Sequence, residues 1–171
     1  MLIFQIIGVL IDSFPSFLAL PRKLSRGMSQ QTFLSGKVLR RGLPALAVPT
    51  GSDAPALKRL LLPQGELAQF WNGAQSIHYI AYIQLRAGTV RGNHYHKIRE
   101  EHVYLLEGEL TLMLEDLQSH ETASIPLCSG DLVTVPPMIA HALKVKTNGG
   151  AVEFSAAQFD PADTYRFPIT N

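Results

Sequence analysis

Cysteine is nearly absent. Cys128 is the only one in 171 residues, which excludes an intramolecular disulfide framework and a Cys-rich zinc site and fits a reducing, cytoplasmic setting. Charge of either sign is also scarce. Lys and Arg number 15 against 14 Asp and Glu, a formal net charge of +1, so no basic field exists to hold a phosphate backbone and nucleic acid is not an expected partner. Only 17% of residues are charged while 46% are hydrophobic, a balance that argues against disorder and for one compact domain with a real core. No internal repeat, heptad or low-complexity tract is present, which favours a single unit over a tandem one.

Long apolar runs are missing as well, except at the start. Residues 1–20, MLIFQIIGVLIDSFPSFLAL, are apolar and are followed by Pro21-Arg22-Lys23. Positive charge follows this run rather than preceding it, and Asp12 and Pro15 interrupt it, so it makes a poor secretory signal or membrane anchor. Met28 offers a second start. Residues 1–34 are therefore read as an N-terminal extension or leader, and no membrane contact is expected unless that segment is an anchor.

What is present after Met28 is a series of short runs of Val, Ile, Leu, Tyr and Thr, broken every few residues by Gly, Pro, Asn or Asp. These predict strands near 37–41, 56–62, 77–86, 89–96, 101–106, 109–115, 121–126, 131–135, 140–146 and 151–159. Turns are expected at Gly88, Glu107-Gly108, Asp116, Ser129-Gly130-Asp131, Pro136-Pro137 and Asn148-Gly149-Gly150. An all-β chain of this kind hides its sheet edges best in a barrel or sandwich. The segment from Phe159 to Tyr165 is expected to leave the last strand as a packed turn, and 161–171 to be a C-terminal tail.

Histidine carries the chemistry. His94 and His96 lie two apart on a predicted strand, so both side chains project from one face, their Cα atoms about 6.6 Å apart, and the imidazoles can converge on one ion. A carboxylate opens the next strand, in Arg99-Glu100-Glu101-His102-Val103-Tyr104-Leu105. Glu101 inward shares its face with Val103 and Leu105, whereas Glu100 would share it with His102 and Tyr104, so alternation favours Glu101. His141 follows the rigid Pro136-Pro137-Met138 turn, and turning it inward puts Leu143 and Val145 on the core face and leaves Ala142 and Lys144 facing out. Three imidazoles and one carboxylate suit one divalent transition metal, Fe, Mn, Ni, Cu or Zn, rather than calcium.

At these residues the chain resembles the cupin superfamily. Gly88, His94, His96, Glu101 and Gly108 reproduce the spacing of the first cupin motif, and Gly130, Pro136 and His141 that of the second. Met138 stands where the family usually has Gly, and Val145 where it often has Asn. The resemblance implies a double-stranded β-helix, or jelly-roll, barrel over residues 35–160.

Cupins run many reactions, so the substrate must be read from the pocket. Arg91, three residues before His94, is a candidate clamp for a carboxylate or phosphate. Strict alternation turns it outward, and an inward Arg91 needs a bulge, which Gly92 permits; otherwise it is a solvated arginine. On the preceding strand, the polar face of His78, Ile80, Tyr82 and Gln84 either lines the cavity, making Tyr82 and Gln84 substrate contacts and Tyr82 a candidate acid, or faces solvent or a partner subunit.

The string RGNHYHK, with Phe159-Asp160-Pro161-Ala162-Asp163-Thr164-Tyr165, is similar to cupin domains of capsular polysaccharide and nucleotide-sugar biosynthesis. That implies an isomerase or epimerase acting on a small polar or anionic substrate such as a nucleotide-sugar. The same string resembles oxalate-decarboxylase-type cupins, implying a decarboxylase or dioxygenase as an alternative, and a non-enzymatic small-molecule sensor is a third reading. A homodimer is the default expectation for such barrels, with the apolar segments before residue 60 as interface candidates.

Overall fold

The computed structural model describes residues 29–47 and 51–169, so residues 1–28 of the expected leader lie outside the described residues. The strands are β1 (Ser29–Phe33), β2 (Val38–Gly42), β3 (Ala45–Ala47), β4 (Lys58–Leu62), β5 (Gly65–Gln69), β6 (Tyr79–Leu85), β7 (Val90–Tyr95), β8 (Glu101–Glu107), β9 (Glu109–Asp116), β10 (Thr122–Cys128), β11 (Asp131–Val135), β12 (Ile139–Val145), β13 (Gly149–Ser155) and β14 (Tyr165–Arg166). A 3-10 turn, Pro161–Asp163, precedes β14. Among the described residues no helix is long and apolar enough to cross a membrane.

Two antiparallel sheets face each other. One runs β1-β2-β11-β8-β13-β6 and the other β10-β9-β12-β7-β14. Alternation decides what lies between them. Val103 and Leu105 on β8, Val133 and Val135 on β11 and Ile83 and Leu85 on β6 meet Leu110, Leu112 and Leu114 on β9, Ile125 on β10 and Leu143 and Val145 on β12. The core occupies most of the barrel, and one end is left for polar side chains.

The third sheet, β3-β4-β5, was not legible as a unit. It lies with the apolar outer face of the six-stranded sheet, where Leu43, Tyr104, Leu132 and Phe154 form a second cluster with Leu57, Ala68, Phe70 and Trp71. Phe70 stacks on Tyr104 with centroids 4.5 Å apart, and Trp71 meets Phe154 edge-on at 5.3 Å. Trp71 therefore caps the outside of the barrel wall. Strands β8 and β13 are consequently covered on both faces, so their polar residues sit inside as often as out.

The barrel wall is longer than expected at both ends. Strand β1, inside the stretch read as an extension, pairs with β2 from Ser29↔Gly42 to Phe33↔Val38. The tail contributes β14, which pairs with β7 through Tyr165↔Tyr95 and Arg166↔His94.

The turn after β9 shows how this chain fastens its loops. Asp116 accepts from Lys37 Nζ at 2.6 Å, Ser119 Oγ at 2.8 Å and the Gln118 N–H at 3.0 Å. The Lys37 hydrogen bond leads the causes that hold its carboxyl down at about 2. Because the folded value lies below the unfolded one, near 3.9, ionised Asp116 contributes stability that is full above about pH 4 and lost as pH falls towards 2. Asp116→Asn is expected to flatten that limb of the stability profile, as read from denaturant midpoints between pH 5 and pH 2.

Candidate metal centre and its cavity

The centre is assembled from both sheets. His94 lies on β7, His96 just beyond its end, His141 on the adjacent β12, and Glu101 opens β8 in the facing sheet. One potential ligand atom from each of the four lies within 4.8 Å of all the others. The imidazole centroids of His94 and His141 are 4.6 Å apart, those of His94 and His96 4.9 Å.

A bulge in β7 makes this possible. His141 pairs with His94 but Ala142 with Gly92, leaving Asn93 as the extra residue. Gly92 and Asn93 take φ of +86° and +56°. A Cβ on Gly92 would lie 2.8 Å from the His141 carbonyl oxygen, so only glycine fits there. Met138, in the turn before β12, holds φ +66°, the left-handed conformation that explains a family preference for glycine at this point. Its N–H donates to the His96 carbonyl at 2.7 Å, tying the turn to the end of β7. Val145 is buried in the core.

The tautomers follow from the carbonyl oxygens behind the rings. His96 Nδ1 lies 2.5 Å from the Asp163 carbonyl and His141 Nδ1 3.1 Å from that of Ile139. A carbonyl only accepts, so each Nδ1 carries the proton and each Nε2 presents a lone pair. Both Nε2 atoms are buried without a hydrogen-bond partner. They face Glu101, with His96 Nε2 3.2 Å from Oε2 and His141 Nε2 3.6 Å from Oε1. Lone pairs on nitrogen and carboxylate at such distances repel unless a cation lies between them, so the arrangement fits a divalent transition ion held by His94, His96, Glu101 and His141.

The electrostatics favour the ligand form of His94 and Glu101. Burial, with His141 adding, pushes the His94 imidazole down to about 4, so it is neutral at pH 7. Burial acts to raise Glu101, but positive charge beside it, from His141 and His96 when protonated and from Arg99, outweighs this and holds the carboxylate down at about 2; an ion held by the neutral imidazoles would put positive charge in the same place. Glu100 lies outside the cluster, its carboxylate 3.2 Å from His102 Nε2.

Above the four residues is a cavity of about 410 Å³, lined by Tyr79, His94, His96, Arg99, Glu101, Glu153, Phe159, Pro161 and Thr164. Three sequence candidates for its wall are corrected here. Tyr82, 66% exposed, and Gln84 project outward from β6, because Ile83 and Leu85 take the buried face. The bulge permitted by Gly92 is present and pairs Arg91 with Leu143, yet Arg91 is exposed and outside the lining.

Reasoning from sequence missed Tyr79, Arg99, Glu153 and the tail. Arg99, only 5% exposed, places Nη2 3.3 Å from Glu101 Oε2 and also on Glu153, and its guanidinium lies 4.4 Å from the Tyr79 ring centre. The Asp163 carboxylate accepts the backbone N–H groups of Lys97 at 2.8 Å and Arg99 at 3.0 Å, and that of Ile98 at 3.2 Å. The one available signal was the Asp163 side chain in a turn that sequence had already marked as packed.

No family model matches the chain, and no curated protein sequence matches it. Solved structures do. A dTDP-6-deoxy-D-glucose-3,5-epimerase from Legionella pneumophila, in complex with dTDP-4-keto-L-rhamnose, matches with a TM-score of 0.62 at 12% identity, over 82% of this chain and 77% of that one. A dTDP-4-dehydrorhamnose 3,5-epimerase from Sulfolobus tokodaii gives 0.63 at 13%, over 80% of each chain. A mutant of the 3,4-ketoisomerase QdtA from Thermoanaerobacterium thermosaccharolyticum, in complex with TDP-4-keto-6-deoxyglucose, gives 0.56 at 19%, over 65% of this chain and 83% of that one. At these identities the likeness establishes the fold, an all-β jelly-roll barrel of the cupin type.

Proposed function

We propose that this cupin barrel is a metal-dependent, cytoplasmic isomerase or epimerase of sugars or nucleotide-sugars, working by proton transfer beside a carbonyl. The observation that carries the reading is the pair of buried Nε2 lone pairs of His96 and His141 turned on Glu101 beneath an open cavity. The similar structures, epimerases and a ketoisomerase of TDP-sugars, support the substrate class.

His94, His96, Glu101 and His141 would hold the ion, one of Fe, Mn, Ni, Cu or Zn. Such an ion supplies Lewis-acid polarisation of a carbonyl oxygen. The chain does the rest. Tyr79 and Phe159, stacked with centroids 5.7 Å apart, present an apolar wall suited to a sugar face. The Thr164 hydroxyl can meet sugar hydroxyls, and the tail that carries it narrows the entrance. A homodimer belongs to the same reading, since β6 is an open sheet edge with Ile80 70% exposed.

The test is hydrogen exchange. Metal-loaded protein incubated in deuterium oxide with TDP-4-keto-6-deoxyglucose is expected to place deuterium on a carbon beside the carbonyl, detected by mass spectrometry, and to stop doing so after chelation. Absence of deuterium from every keto-sugar offered overturns the assignment. A second reading, a decarboxylase or dioxygenase, is favoured by Arg99, a buried guanidinium on the cavity wall that suits a carboxylate substrate. Carbon dioxide release or oxygen uptake with small dicarboxylates would select it.

A further inference from the structure

A carboxylate that takes no part in the metal set stands in the same cavity. Glu153 on β13 pairs with Val103 on one side and Ala81 on the other, so it shares the inward face of β8 with Glu101 and Val103. The outward neighbours Val152 and Phe154 pack beneath the three-stranded sheet. A lone carboxylate inside an otherwise apolar wall is costly unless partnered. Its partner is Arg99, which holds Glu153 and Glu101 through one nitrogen, Nη2.

Arg99 is itself fixed at both ends. Its backbone N–H is bound by Asp163 and its guanidinium lies against Tyr79. The side chain of Glu153 is 16% exposed against 6% for Glu101, so it is the carboxylate a ligand in the cavity can reach. His94, His96 and Glu101, which also line the cavity, are committed to the ion.

We propose that Glu153 is the catalytic carboxylate that moves the substrate proton, and that Arg99 is the positioning residue that aims it; this rests on the isomerase or epimerase reading above. A Glu153 carboxylate oxygen takes the proton from the carbon beside the carbonyl. The C–H bonding pair becomes the new C=C bond, and the carbonyl π pair moves to oxygen, giving an enediolate. The proton held on Glu153 exchanges with solvent while the enediolate persists, and Glu153 then delivers a proton (a deuteron in deuterium oxide) to the former carbonyl carbon. With a hydroxyl proton passing between the two oxygens, this completes a ketoisomerisation and leaves the carboxylate as it began. One reachable carboxylate on one wall suits this one-base transfer.

The experiment compares wild type, Glu153→Gln and Arg99→Lys, each metal-loaded, in deuterium oxide with TDP-4-keto-6-deoxyglucose. Metal titration and equilibrium binding of the keto-sugar are measured alongside. Glu153→Gln keeps a hydrogen-bond acceptor for Arg99 and is expected to lower the exchange rate at saturating sugar by about 10²- to 10⁴-fold, with KM, sugar affinity and metal affinity within threefold of wild type. Arg99→Lys keeps the charge but loses the planar fork, and an intermediate loss in kcat is expected. Exchange by Glu153→Gln within threefold of wild type overturns the role of Glu153 while leaving the functional reading intact. Loss of exchange that tracks loss of metal overturns it too, as a structural effect. No exchange by wild type overturns the functional reading and this role with it.

Discussion

Replacing His96 by alanine is expected to weaken binding of a divalent transition ion at least a hundredfold, measured by competition against a chromogenic chelator. The argument is geometric. Three imidazole nitrogens and the Glu101 carboxylate converge within 4.8 Å, and the Nε2 lone pairs of His96 and His141 have no other partner. Wild-type protein should take up one equivalent. Because the ion binds the assembled site and not the unfolded chain, free metal a thousandfold above Kd adds about 4 kcal/mol of stability. For a chain of this length that raises Tm by about 8–16 °C. His96→Ala should lose the metal-dependent rise. Wild-type protein whose Tm ignores Zn, Ni, Mn, Cu and Fe alike, or an alanine variant that binds as tightly as its parent, would refute the assignment.

The second large effect is expected far along the chain, at Asp163. Its carboxylate collects the backbone N–H groups of Lys97, Ile98 and Arg99, and its own carbonyl oxygen receives His96 Nδ1–H. One residue of the C-terminal turn thereby shapes the loop between β7 and β8 and sets the orientation of a metal ligand. Asp163→Ala strands those three donors, at a cost of about 2–4 kcal/mol, and Tm is expected to fall by about 5–15 °C. The carbonyl behind His96 remains in this variant, but the turn that holds it in place loses its clamp, and metal affinity is expected to drop by about 10- to 100-fold. Asp163→Asn keeps one acceptor oxygen and should lose less of both.

The sign of the pH effect at Asp163 is fixed by the same contacts. Burial acts to raise its carboxyl, but the N–H groups of Lys97, Arg99 and Ile98 outweigh it and the net shift is downward. A carboxyl depressed on folding contributes stability that is complete above its unfolded value, near 3.9, and lost as pH falls through the folded one. Acid unfolding of wild type below about pH 4 should therefore be steeper than that of Asp163→Asn. Equal acid limbs for the two proteins would show that the contacts add nothing in solution.

Much of the candidate centre was written locally. His94 and His96 two apart on one strand, Glu101 in phase with Val103 and Leu105, and His141 in phase with Leu143 and Val145 all follow from the period of two that any strand obeys. The same period placed Tyr82 and Gln84 on one face, but it does not say which face is inside. Polarity suggested the cavity for them. That inference failed because the barrel interior beside β6 is apolar, and Ile83 and Leu85 occupy it.

Glu153 was hidden for the opposite reason. Val152 and Phe154 mark the buried face of an ordinary half-exposed strand, which would turn Glu153 to solvent. The three-stranded sheet covers Val152 and Phe154 from outside, so both faces of β13 are enclosed and Glu153 points into the barrel. Arg99 reads as a loop cation in Lys97-Ile98-Arg99-Glu100, and only the docked tail draws it in.

Alternation, spacing and turn residues by themselves determined an all-β chain and four side chains in phase to share an ion, because strand periodicity depends on nothing beyond the neighbouring residues; the jelly-roll barrel was implied by the resemblance of the two motifs. Tertiary packing decided which strand faces look inward, that Arg99 rather than Arg91 stands beside Glu101, and that the last turn braces the site. Those outcomes depend on which surface covers which, a property of the assembled sheets that no stretch of chain carries alone.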